Sequence, residues 1–133
     1  MTRVILGLGC DRGTSLDTLA AAVTQALAAA NIHLKSVAGA ATIDKKHDEA
    51  AILELASQHG WPLRFFSAEA LARVEVPSPS ETVRTYMGTP AVAEAAALLA
   101  AGTHRGDLLL EKFKYKGSDG KHATVSIAKR SDE

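Results

Sequence analysis

Short apolar runs alternate with alanine-rich helical stretches, and this alternation constrains the fold more than any other feature of the chain. Val4-Ile5-Leu6-Gly7-Leu8 is apolar and followed by glycine, the pattern of a buried strand. Ser15 offers an N-cap, and Leu16, Leu19, Val23, Ala26 and Leu27 then recur at helical spacing to about Ala30. Residues 33–40 read as a second strand, 46–58 as a second helix stopped by Gly60, and 62–66 as a third strand. Ser67 caps a brief helix through Leu71, and the Pro/Ser-rich stretch 75–81 is a loop. Pro90 opens a helix over 91–101, with Gly102 beyond it. Residues 107–111 and 123–130 read as two further strands, with 112–121 as the hairpin connection. The expected architecture is α/β: a three-layer sandwich with a largely parallel (mixed) sheet of about five strands and helices on both faces. A single domain over 1–133 accounts for the whole chain, since about this length buries roughly two-thirds of its unfolded surface.

Composition narrows the function classes. Fifteen basic residues balance fifteen acidic ones, so bulk charge argues for neither nucleic acid nor membrane as a partner. Apolar residues at 47% and charged residues at 23% exclude wholesale disorder. The longest apolar stretch is interrupted by Glu94, short of the roughly 18 residues of a membrane span. Met1-Thr2-Arg3 leads into strand pattern without a signal-peptide layout, so a cytoplasmic location is expected. The single cysteine, Cys10, excludes an internal disulfide. The five histidines show no metal-ligand spacing and read as surface or loop residues; no metal and no cofactor are expected.

The segment 7–15, Gly-Leu-Gly-Cys-Asp-Arg-Gly-Thr-Ser, joins the first strand to the first helix. Its spacing matches neither the dinucleotide fingerprint nor a phosphate loop. Two readings stay open: a tight turn that needs glycine, or a cradle in which backbone N–H groups receive an anion, with Arg12 beside them suited to a carboxylate. Cys10 at a helix N-terminus invites a nucleophile, but with no base assignable to it a small buried residue is the better reading.

Gly-Leu-Gly-Cys-Asp-Arg-Gly-Thr at 7–14, Ala-Thr-Ile-Asp-Lys-Lys at 41–46 and Gly-Thr-Pro-Ala-Val-Ala-Glu-Ala-Ala-Ala at 88–97 occur in that order, followed by Lys112 and Ala-Thr-Val-Ser-Ile-Ala at 123–128. Together they resemble the CobE / CbiG C-terminal domain family of cobalamin biosynthesis proteins. The resemblance implies work on a corrinoid intermediate, a large macrocycle edged by acetate and propionate carboxylates. In the larger family members it implies opening of a ring lactone on a cobalt-precorrin, with release of a two-carbon fragment. Those proteins carry further sequence before this domain, so whether the present stretch hydrolyses anything alone stays open.

A site for such a ligand needs separated cations or amide donors around an apolar floor. Arg12, Lys45 and Lys112 lie in the family-like motifs after predicted strands, where α/β sheets usually bind ligands. Gly9, Cys10, Gly13 and Gly88 supply close backbone approach, and Thr14 and Thr42 add hydroxyls. Glu94 is a charge among alanines: it either favours the helix dipole, worth about 0.3–1 kcal/mol, or serves as a general base. Asp44 is the second carboxylate candidate, or a cap for the next helix. The alternation in Lys112-Phe-Lys-Tyr-Lys places the aromatics on one face of a strand and the lysines on the other, as solvated edge charge. The readings are therefore a precorrin-binding or carrier protein, a lactone hydrolase, and a scaffold for another enzyme of the pathway such as a methyltransferase.

Overall fold

The computed structural model describes residues 3–44, 48–72, 92–102 and 108–130. Five strands are present: β1 (Val4–Cys10), β2 (Val37–Ile43), β3 (Leu63–Phe66), β4 (Leu108–Lys116) and β5 (His122–Lys129). Four helices are described with them: α1 (Leu16–Ala29), α2 (Ala50–His59), α3 (Ala68–Ala72) and α4 (Val92–Ala101). The strands form one sheet in the order β3-β2-β1-β5-β4. β1, β2 and β3 pair in parallel, and β5 runs antiparallel to both β1 and β4. Four strands thus point the same way and β5 alone is reversed.

Two apolar clusters make the layers. Val4, Leu6 and Leu8 of β1, with Val125 and Ile127 of β5, pack against Leu19, Val23 and Leu27 of α1 and Ile52 and Leu55 of α2. On the opposite face Ile5, Ala41, Ile43 and Ala128 meet Leu71 of α3 and Ala95, Ala96, Leu98 and Ala101 of α4. Each fully buried leucine contributes roughly 1.5–3 kcal/mol. The expected three-layer α/β sandwich with a mixed sheet is what the chain adopts.

The element boundaries differ from expectation where local backbone chemistry decides. β1 runs through its glycines to Cys10 because α4 lies directly on it. A Cβ on Gly7 would collide with the backbone carbonyl of Ala93 and lie 2.9 Å from the Ala97 nitrogen. β2 begins at Val37 rather than 33, because Asn31 turns left-handed (φ 58°) after α1 and Leu34–Ser36 form a 3₁₀ turn. The segment 112–116, expected in the hairpin connection, is strand, and the turn shrinks to 117–121. Phe113 and Tyr115 hold it there by packing on the α1 side of the sheet. The loop 75–81 and Pro90 lie outside the described residues. Among the described residues no helix is long and apolar enough to cross a membrane.

Candidate ligand-binding site

The loop after β1 is closed by its own chain. Gly13, with φ 81°, donates its N–H to Glu49 Oε2 at 3.0 Å, and Ser15 donates its own to Asp119 Oδ2 at 3.0 Å. Thr14 N–H reaches the Asp11 carbonyl at 3.2 Å, and the Thr14 hydroxyl donates to the same oxygen at 2.6 Å. Arg12 Nη1 meets Asp48 at 2.8 Å and Glu49 at 3.1 Å. The amide cradle expected for a ligand's anion therefore holds two side-chain carboxylates of the protein, Glu49 and Asp119. Thr42 is buried and its hydroxyl donates to the Leu8 carbonyl at 2.7 Å, tying β2 to β1. Thr14 and Thr42, expected as ligand donors, give their hydroxyl hydrogens to backbone carbonyls in this structure. Cys10 is half-buried at the end of β1, and Asp44 is exposed just past β2.

On the opposite face of the sheet, no described helix covers the same edge. Alternation along β5 turns Ala123, Val125 and Ile127 toward α1, so His122 and Thr124 face the α4 side. In β4, Phe113 and Tyr115 take the α1 side and leave Lys112, Lys114 and Lys116 on the α4 side. Lys114 is opposite Thr124, Lys116 is opposite His122, and Thr124 is opposite Gly9 of β1. A Cβ on Gly9 would meet only Thr124 Cβ, at 3.9 Å, among the described residues. Two residues earlier, at Gly7, the sheet is in hard contact with α4. Among the described residues the helical cover thus ends between Gly7 and Gly9, beside a strip of sheet edged by lysines.

Asp11 and His122 close the end of this strip. The two residues exchange Asp11 N–H to His122 O and His122 N–H to Asp11 Oδ2, both at 2.9 Å, and His122 Nδ1 lies 3.2 Å from the same Oδ2. Partial burial works against ionisation of Asp11. The hydrogen bonds from His122, with the charges of His122 and Lys121, outweigh it and hold the carboxyl below its usual range.

Glu94 sits in the first turn of α4, fully buried, with neither carboxylate oxygen hydrogen-bonded to a described residue. Burial pushes its pKa up to about 7; Lys112 pulls it back and Glu111 adds to the rise.

Of the residues singled out from sequence, Gly9 and Lys112 lie on the α4 side of the sheet and Glu94 lies in α4 itself. Arg12, Gly13 and Thr14 belong to the loop tied to α2, and Lys45 and Gly88 lie outside the described residues. Sequence reading passed over His122, Asp11, Thr124, Lys114 and Lys116 as site residues. The period-two alternation of 112–116 against 122–126 was the signal that groups them. Among the described residues no three metal-ligating side chains cluster.

Fold and site together define a three-layer α/β domain whose sheet emerges from its helical cover at the carboxyl edge. Residues 4–128 match the family model described as Cobalamin synthesis G C-terminus, and the chain belongs to that family. A cobalt-precorrin-5A hydrolase of Priestia megaterium is 36% identical over 123 residues, covering 92% of this chain and 31% of that protein. Protein CobE of a Sinorhizobium species is 34% identical over 127 residues, covering 94% of this chain and 79% of that one. The crystal structure of CobE, a protein from the cobalamin (vitamin B12) biosynthetic pathway, matches with a TM-score of 0.80 at 32% identity, over 99% of this chain and 93% of that one. The chain thus spans about a third of the hydrolase but most of CobE.

Proposed function

We propose that this cobalamin-biosynthesis domain binds a precorrin or related corrinoid in the cytoplasm and hands it to another enzyme of the pathway. The strip of sheet over Gly9, which no described helix covers, is the observation that carries this reading. A flat macrocycle needs a floor of small residues, and Gly9 beside Thr124 offers one. Lys112, Lys114 and Lys116 along one margin suit its peripheral carboxylates. Arg12 contributes less, because Asp48 and Glu49 already balance its charge.

An anaerobic visible-absorption titration with early precorrins, followed by mass analysis of the recovered ligand, tests the proposal. A spectral shift with unchanged ligand mass supports binding and transfer. Absence of any shift overturns it. Lys112→Ala is expected to weaken binding about tenfold, the loss of one charged contact worth roughly 1.4 kcal/mol.

Glu94 favours a second reading, hydrolysis of a ring lactone. A carboxyl that titrates near neutrality is suited to take a proton from water as the oxygen adds to the lactone carbonyl and the ring C–O bond breaks. A ligand mass gain of one water on incubation with the protein alone would select this reading over transfer.

A further inference from the structure

We infer that the Asp119–Gly120 linkage is a site of spontaneous isomerisation to isoaspartate, that it reacts only when the β4–β5 turn lifts off α1, and that the isomerised turn cannot dock again. The inference is independent of the corrinoid reading.

Asp119 is the only aspartate in the sequence that is followed by glycine. A neighbour without a Cβ lets its amide nitrogen swing onto the side-chain carboxyl. Both residues are exposed at the tip of the turn, and a Cβ built on Gly120 would meet nothing within 4 Å. In the reaction the Gly120 nitrogen bonds to Asp119 Cγ. The carboxylic OH leaves with the amide hydrogen as water, and a cyclic imide closes. Water then adds at either imide carbonyl. Opening at Cγ restores aspartate; opening at the main-chain carbonyl leaves the chain running through Cγ, with the α-carboxylate as a branch. Only water is lost and regained, so the net change is an isomerisation.

In the docked turn every reacting atom is engaged elsewhere. Gly120 N–H donates to the Gly117 carbonyl at 3.0 Å. Asp119 Oδ1 accepts from Lys121 N–H, and Oδ2 from Ser15 N–H at the head of α1, both at 3.0 Å. The same bonds keep the carboxyl ionised, with its pKa down at about 2, whereas the protonated form is the one that sheds water. Bringing Cγ onto the Gly120 nitrogen breaks all three.

The product no longer fits. Gly117 rests so close to Thr18 that a Cβ there would overlap its side chain, and Gly117 N–H closes the turn on the Lys121 carbonyl at 2.9 Å. Isomerisation adds one main-chain atom inside that closed turn. It also moves the carboxylate off the side-chain arm that reaches Ser15 and Lys121.

The test incubates the full chain at neutral pH in water enriched in ¹⁸O, folded and in unfolding urea, and follows the tryptic peptide 117–121 by chromatography and mass. Each passage through the imide takes up one heavy oxygen, whichever way the ring opens. Isoaspartate and heavy oxygen are expected in the unfolded chain and at least about tenfold more slowly in the folded one, the factor measuring how seldom the turn opens. Ser15→Pro withdraws the N–H at a φ of −72° that proline adopts, whereas Ser15→Gly keeps it, and both lose the hydroxyl cap. With circular dichroism confirming that both variants fold, Ser15→Pro should isomerise at least about threefold faster than Ser15→Gly. Equal rates in the folded and unfolded chain, or no heavy oxygen in either, overturn the site. Equal rates in the two variants overturn the role of the Ser15 tie. An isolated isoaspartyl chain whose Ser15 amide exchanges as slowly as in the unmodified protein overturns the failure to dock.

Discussion

At the scale of single residues, the two glycines of β1 do opposite things two residues apart. Gly7→Ala drives a methyl into the carbonyl of Ala93 and should cost about 1–3 kcal/mol or more, read by urea denaturation. Gly9→Ala meets nothing closer than 3.9 Å and should leave stability within about 1 kcal/mol, while Gly9→Leu blocks the strip and abolishes corrinoid binding without unfolding the protein. Glu94 gives a pH signature. Its folded-state pKa is raised from 4.5 to about 7, so the folded protein binds more protons than the unfolded chain in that interval. Stability therefore falls as pH rises from about 4.5 to about 7 and levels off above. The 2.5-unit difference corresponds to about 3 kcal/mol, and Glu94→Gln should gain that much relative to the wild type between pH 4 and pH 8 in denaturant titrations. The sequence marked Glu94 as out of place among alanines, but only packing reveals that both oxygens lack partners.

At the scale of elements, the β4–β5 hairpin is fastened to the start of α1. Asp119 accepts from the backbone of Ser15 and Lys121, which holds its pKa down at about 2, and Gly117 lies so close to Thr18 that a Cβ there would overlap it. A depressed carboxyl stabilises the fold above its unfolded value of 3.8 and loses that contribution as pH falls through about 2. Amide exchange at Ser15 and Lys121 should accelerate over that window, and Asp119→Asn should show the faster rates already at neutral pH. Glu49 is the corresponding tie between the β1–α1 loop and α2. Glu49→Ala strands the Gly13 N–H and should cost about 1–3 kcal/mol by urea denaturation, whereas Asp48→Ala, at the surface, costs less than about 1. Helices and strands were legible from periodicity because their cores are periodic. The roles of the glycine loop were not, because the carboxylates that fill it come from 36 and 104 positions away in the chain.

At the scale of the whole molecule, a net charge of zero conceals an arrangement. Composition read this neutrality as silence about partners, yet three lysines gather on one face of an edge strand. Affinity for a polycarboxylate ring should therefore fall with ionic strength, and Lys114→Glu with Lys116→Glu should flatten that dependence, measured by titration at 0.05 and 0.5 M salt, about 14 and 4 Å of Debye length. The α/β class was legible because alternating patterns leave few layered solutions. The strip was not, since it depends on where α4 stops relative to β1. One reversed strand has a consequence for synthesis. β5 sits between β1 and β4 although it follows the other four described strands in the chain, so until it forms β1 waits as a raw edge, short of its antiparallel neighbour. Until the β4–β5 hairpin closes that gap, the bare edge invites pairing with other copies of the chain.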